Sequence, residues 1–187
     1  MKNKTLLIFA LLISFLAVSC VKQQIETVYN KQEEQIDQYI TKNMVVTNAE
    51  GGSDTLRVVR NGGSNRLVLK EGNSEGLAKD GYVSFYYAGY TFSGSVSSAN
   101  MFTTNRLESA TEAGWSAEES EYTLYEISLQ DADLIPGLKY GLEGVKAGEE
   151  CEIIFSAKYG YGNKPLGMIP AKTALLYKIW VVGVTND

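Results

Sequence analysis

The sequence of 187 residues contains no histidine. That absence removes the Ser-His-Asp and Cys-His nucleophile systems, the imidazole general base and every histidine-containing zinc site. Cysteine is nearly as scarce: Cys20 and Cys151 are too few for a thiolate-only zinc site. Basic residues are outnumbered, with 17 Lys and Arg against 22 Asp and Glu and a net charge of −5, which argues against a nucleic-acid-binding surface. No apolar run reaches the roughly 20 residues that a bilayer-spanning helix needs; the longest covers residues 5–18. What is present in quantity is aromatic, with 12 Tyr, 6 Phe and 2 Trp. The length suits one ordinary domain, and the composition suits a site with aromatic walls, with no cofactor and no metal.

The start of the sequence reads as an address. Lys2 and Lys4 precede the apolar stretch TLLIFALLISFLAV, and the run ends in Ala17-Val18-Ser19-Cys20. A basic flank, a short apolar core and small residues form the pattern of a secretory signal. With a Cys at its end, it resembles the lipobox of bacterial lipoproteins. That resemblance implies a signal peptide over 1–19 and a diacylglycerol-modified Cys20 as the first residue of the mature chain. Loss of Lys2 and Lys4 would leave the mature chain more acidic, so a lipid anchor rather than a basic patch would hold it at a membrane. Cys151 would then be the one side-chain thiol, unable to form an intramolecular disulfide. Its place in CEIIF, where Cys151, Ile153 and Phe155 alternate, predicts a buried, inert thiol. Val21 after Cys20 lacks the acidic residue that in some bacteria retains lipoproteins at the inner membrane, so the expected location is the outer membrane, facing the periplasm.

Across residues 21–44, Ile25, Val28, Tyr29, Ile36, Tyr39 and Ile40 recur at spacings of three and four, which predicts an amphipathic helix. Its polar face is not basic, so the apolar face is expected on the domain, or in a weak homodimer contact, rather than on lipid. Two β-rich runs around Asn61-Gly62-Gly63-Ser64 predict a hairpin. The aromatic run 82–87 predicts a strand. Residues 93–121 have little periodicity apart from Met101-Phe102 and Trp115 and read as long surface loops, with Glu118, Glu119 and Glu121 in a solvated stretch. Further strands are expected at 123–129, in EECEIIFSA and in ALLYKIWVVGV, the last being continuously apolar and therefore central. A short helix entered through Pro136 is expected in LIPGLKYGLEGV. This order implies an α+β domain, an antiparallel sheet curled over one helix.

Four ordered blocks carry a more specific resemblance. They are SFYYAGY with Met101-Phe102, then LIPGLKYGLEGVKAGEE at 134–150, FSAKYGYG at 155–162 and MIPAKTALLYKIWVVGV at 168–184. Together they resemble the FKBP-type peptidyl-prolyl cis-trans isomerases. The resemblance implies a curved antiparallel sheet wrapped over one short helix, preceded here by the N-terminal helix. It divides the chain into a signal peptide (1–19), a helix and linker (20–53) and an FKBP-like domain (54–187), with the hairpin at 54–72 and the pocket-bearing body at 80–184.

Carried onto this sequence, the resemblance implies a pocket walled by Tyr87, Phe102, Tyr125 and Tyr177. Leu134 and Ile135 would follow, the latter offering its backbone N–H to a substrate carbonyl. Leu138 would form the floor, Tyr161 would offer a hydroxyl, and Met168 with Ile169 would lie on a flap. The implied partners are proline-containing polypeptides of the cell envelope. Two positions depart from the family pattern: the floor, usually Trp, is Leu138, and the Asp that commonly follows the wall Phe is Thr103. These departures raise a second expectation, a peptide- or protein-binding module on the same fold with weak or no turnover.

Overall fold

The computed structural model describes residues 2–115, 118 and 122–186, with side chains from residue 22 onward. Helix α1 (Lys2–Asn43) is followed by a ribbon of β1 (Val45–Thr47) and β2 (Ser53–Thr55), exposed throughout. Asn43 closes the helix by donating from Nδ2 to the Tyr39 carbonyl at 2.7 Å, after which Val45 and Val46 take extended backbone.

The hairpin forms as the sequence predicts, with β3 (Val58–Asn61) and β4 (Ser64–Lys70) in register from Val58–Leu67 to Asn61–Ser64. The remaining strands are β5 (Tyr82–Phe92), β6 (Met101–Thr104), β7 (Tyr125–Ser128), β8 (Glu150–Phe155) and β9 (Ala174–Thr185). Among the described residues these make one antiparallel seven-stranded sheet in the order β3-β4-β8-β9-β5-β6, with β7 also paired to β5. The two short strands share one edge of β5, β7 pairing with Tyr82–Phe85 and β6 with Ala88–Tyr90.

Asn105 fills the gap between them. Its Oδ1 accepts from the Tyr87 N–H at 2.6 Å, and its Nδ2 donates to the carbonyls of Phe85 at 3.2 Å and Thr123 at 2.9 Å. One buried amide thus replaces the ladder bonds missing at the changeover.

The position of β9 explains its apolar run, which Lys178 alone interrupts before Gly183. It lies between β8 and β5, with both faces covered over Ala174–Tyr177. On one face Leu175, Tyr177, Ile179 and Val181 join Cys151, Ile153, Phe155 and helix α3 (Pro136–Leu142) in the larger core. On the other, Ala174 and Leu176 pack with Ile154, Tyr90, Phe92 and Met101 under Ile36 and Ile40 of α1. The helix therefore docks its apolar face on the domain, and Ile36 and Ile40 are almost wholly buried. Tyr39 adds an edge-on contact to Phe92, with ring centroids 5.2 Å apart, and donates its hydroxyl to Glu152 at 2.8 Å. Cys151 is buried, and burial pushes its thiol well above the ordinary range, so it stays protonated.

One expectation is corrected. Residues 93–121 are not simply surface loops: they contain a 3₁₀ turn at Ser98–Asn100, strand β6 and helix α2 (Leu107–Glu112). Strand β6 is held by its pairing with the preceding strand β5, across a register shift between Gly89 and Tyr90. Helix α2 is too short to display an apolar stripe and buries Ser109 and Ala110. Neither device leaves a local periodicity. Of the acidic stretch, Glu119 and Glu121 lie outside the described residues.

Candidate active site

A cavity of about 410 Å³ opens between the concave face of the sheet and helix α3. All nine residues assigned to the site from the sequence line it: Tyr87, Phe102, Tyr125, Leu134, Ile135, Leu138, Tyr161, Ile169 and Tyr177. Met168 and Thr103 line it as well. Strand β5 supplies Tyr87, β6 supplies Phe102, β7 supplies Tyr125 and β9 supplies Tyr177, while α3 and its entry supply Leu134, Ile135 and Leu138.

The walls are braced by one another. Tyr125 meets Phe85 and Tyr87 edge-on at centroid distances of 5.7 and 5.9 Å, and Phe102 meets Tyr177 edge-on at 5.8 Å. Such pairs add about 0.5–1.5 kcal/mol beyond burial and fix ring planes. Gly89 lies where these rings converge: a Cβ there would sit 2.9 Å from Phe102, Thr103 and Tyr177 alike. A larger residue would displace two walls at once.

Two of the tyrosine walls are held in their neutral form. Burial, reinforced by the neighbouring Tyr161 hydroxyl, pushes the Tyr177 hydroxyl far above its ordinary range. Burial, with Tyr87 and Asp131 nearby, also raises Tyr125. Two carboxylates, Asp131 and Asp133, stand in the lining at the turn before α3, where the Asp133 N–H donates to Asp131 Oδ1 at 2.9 Å.

Ile135 is the residue that caps α3. Its carbonyl accepts from the Leu138 and Lys139 N–H groups at 3.0 and 3.1 Å, whereas its own N–H has no partner among the described residues. The site therefore combines aromatic walls with a lining residue whose backbone N–H has no partner among the described residues. On the opposite lip Leu166 and Met168 are exposed, and Ile169 is tucked under them through reciprocal bonds with Leu166 of 2.9 and 2.8 Å.

Sequence reasoning missed Phe85, Ile127, Asp131, Asp133, Leu166 and Gly167 in the lining. The first two were within reach, because Phe85 lies two residues before Tyr87 and Ile127 two after Tyr125, on the same faces of their strands. The aspartates and the flap residues sit in turns, where no periodicity reports direction.

Such a site is suited to amide rotation. Turning an X-Pro bond faces a barrier of about 18–20 kcal/mol because resonance holds the amide planar. A low-polarity cavity disfavours the planar, more polar ground state relative to the twisted amide, and one fixed donor can hold a carbonyl in the twisted geometry. A million-fold acceleration needs about 8 kcal/mol of such differential stabilisation. None of it requires a proton acceptor near neutral pH.

Leu138 is half-buried: it lines the cavity and packs on the edge of the larger core. Leu138→Trp is therefore expected to fold with unchanged cooperativity and to lose less than the roughly 1–3 kcal/mol typical of overpacking. Urea denaturation measures this; collapse of the native state would place Leu138 in sealed core.

Comparison with known proteins agrees with the fold. The family model described as FKBP-type peptidyl-prolyl cis-trans isomerase matches residues 76–182. Among solved structures, FkpA from Escherichia coli is 19% identical with a TM-score of 0.52, covering 95% of this chain and 71% of its own. A peptidyl-prolyl cis-trans isomerase from Pseudomonas syringae is 17% identical with a TM-score of 0.56, covering 86% and 96%. The three FKBP domains of wheat FKBP73 give 18% identity, a TM-score of 0.55, and coverage of 73% and 52%. The search of curated proteins gave no match. At these identities the solved structures speak for the fold alone. The family match extends over more than half of the sequence and includes the strands and the helix that wall the cavity, and it supports a peptidyl-prolyl isomerase function: this chain belongs to the FKBP-type peptidyl-prolyl cis-trans isomerases.

Proposed function

We propose that the chain is a membrane-anchored peptidyl-prolyl isomerase, or folding helper, for proline-containing polypeptides of the cell envelope. The observation that carries the reading is that the aromatic walls and Ile135, whose N–H has no partner among the described residues, line one cavity. The test is cis-trans exchange of a short X-Pro peptide followed by NMR, with soluble protein starting after Cys20. Acceleration at substoichiometric protein is the expected result. Binding without acceleration at equimolar protein would instead favour a peptide-binding module, the reading to which Leu138 and Thr103 lean.

The anchor is the second half of the proposal. Cys20 at the end of the apolar run supports lipid attachment, and an outer-membrane site facing the periplasm is the location it implies. Metabolic labelling with a palmitate analogue is expected to mark the wild-type chain and to disappear in Cys20→Ala. Persistent labelling of the variant would remove the anchor from the proposal.

A further inference from the structure

The flap that closes one side of the cavity is tied down by a residue outside the domain body. Gln32 of α1 is nearly buried and makes two hydrogen bonds to parts of the chain far away in sequence. Its Oε1 accepts from the Ala157 N–H at 3.0 Å, and its Nε2 donates to the Lys172 carbonyl at 2.7 Å. Ala157 and Lys172 are the two feet of the segment that carries Tyr161, Leu166, Met168 and Ile169 into the cavity.

The feet are also joined to each other. The Gly162 N–H donates to the Ala157 carbonyl at 2.8 Å, and the Lys172 N–H donates to the Gly162 carbonyl at 2.7 Å. Gln32 thus closes a ring of four hydrogen bonds: Gln32 to Lys172, Lys172 to Gly162, Gly162 to Ala157, and Ala157 back to Gln32. A second, independent observation points to the same place. Lys172 has a φ of 58°, the one positive φ outside glycine among the described residues. A long side chain in the left-handed region persists where its surroundings over-determine it, and the bonds at its N–H and its carbonyl do so.

From this geometry we infer that Gln32 is a positioning residue for the proposed peptide site, holding the flap at the separation from helix α3 that the cavity requires. It touches no substrate; it acts through Ala157 and Lys172 on Tyr161, Met168 and Ile169. The inference rests on the reading of the cavity as a proline-peptide site. It adds that the N-terminal helix, outside the matched family region, is part of what makes the site competent. A glutamine suits the task because its amide offers one acceptor and one donor on a single planar group.

The test compares Gln32→Met with Ile36→Ala in the full chain. Both lie on the buried face of α1, but Ile36 packs on the sheet and lines no part of the cavity. Gln32→Met is expected to raise KM for an X-Pro peptide about tenfold, since a misplaced flap weakens contacts made in ground and transition states alike. The Lys172 amide should exchange with solvent at least about tenfold faster in the same variant. Ile36→Ala should lower Tm at least as much while leaving KM and Lys172 exchange unchanged. If Gln32→Met fails to fold, the same readouts are taken on Gln32→Glu, which keeps the acceptor for Ala157 and turns a carboxylate towards the Lys172 carbonyl. Unchanged KM and exchange in the Gln32 variant, or equal changes in Ile36→Ala, overturn the inference. Absence of turnover in the parent chain counts against the isomerase reading alone, since peptide Kd then replaces KM; absence of peptide binding overturns both.

Discussion

Phe155→Ala is expected to cost about 3–5 kcal/mol, the range for emptying a packed aromatic site, and to take most proline-peptide binding with it. Phe155 is fully buried at the end of β8 and supports the cavity from beneath. Its ring lies nearly parallel to Tyr177, with centroids 6.1 Å apart and planes 15° apart. On its other side it meets α3 at Gly137, where a Cβ would run into the ring. One side chain therefore sets both the Tyr177 wall and the distance of the helix from the sheet. Phe155→Leu, which conserves more volume, should cost less than about 1.5 kcal/mol and retain binding. Chemical denaturation and peptide titration of the two variants give both numbers. A loss below about 1 kcal/mol for Phe155→Ala would mean that the core under the cavity is not packed as described.

The second large effect lies on the hairpin side of α3. Arg66, almost completely buried, donates from Nη1 to the carbonyls of Gly141 and Glu143 at 2.7 and 2.8 Å, satisfying the C-terminal end of the helix. Its Nε lies 3.2 Å from Oε1 of the fully buried Glu149, and Arg57 reaches Oε2 at 3.6 Å. The contact with Arg66 is an ion pair by distance without hydrogen-bond alignment, since neither Glu149 oxygen nor Arg66 Nε has an aligned partner. Burial raises the Glu149 carboxyl above its ordinary range, and the two guanidinium groups offset this only in part.

Arg66→Met should therefore cost about 3–5 kcal/mol near pH 7, because it leaves a buried carboxylate with Arg57 alone and frees two helix carbonyls together. Glu149→Gln should cost clearly less, because Arg66 keeps both carbonyls. The sign of the pH dependence follows from the raised pKa. The native state holds the Glu149 proton more tightly than the unfolded chain, so the group's contribution falls as pH rises through the native value and returns as pH drops towards the unfolded value near 4.5. The deficit of Arg66→Met relative to wild type is expected to shrink between about pH 7 and about pH 5. Thermal melts at the two values check this; a deficit independent of pH would mean that Glu149 is already protonated at neutrality.

Sequence and structure agree best where a strand or helix has to bury a face. The hairpin around Asn61–Ser64, the aromatic run of β5, the Pro136 entry to α3 and the central place of β9 could all be read from residue patterns. The nine cavity residues came from motif likeness rather than periodicity, since Tyr87, Phe102 and Tyr177 would each pass for ordinary core. Hidden features are those held by partners outside their own element. Strand β6 exists because β5 offers it an edge, and Asn105 matters because two short strands leave a gap beside Tyr87. Nothing in the local sequence sets Glu149 apart from the exposed acids around it, yet it is sealed under two arginines. Burial of a charge is decided by what folds over it, and that information lies about eighty residues upstream in β4.

The position of β9 between β5 and β8 also sets an order of events during synthesis. The ribosome makes this strand after every partner that it joins, and its ladder runs over Tyr82–Phe92 on one side and Glu150–Phe155 on the other. A chain cut at residue 173 lacks the strand that joins β8 to β5, so the two halves of the sheet would have nothing between them. Two unpaired, largely apolar strand edges then wait for the same segment, and each could recruit a foreign strand. Native closure comes late and all at once, through pairings that span up to about a hundred residues, the kind of topology that folds slowly. Chains halted before Ala174 should accordingly be aggregation-prone and protease-sensitive rather than smaller folded domains.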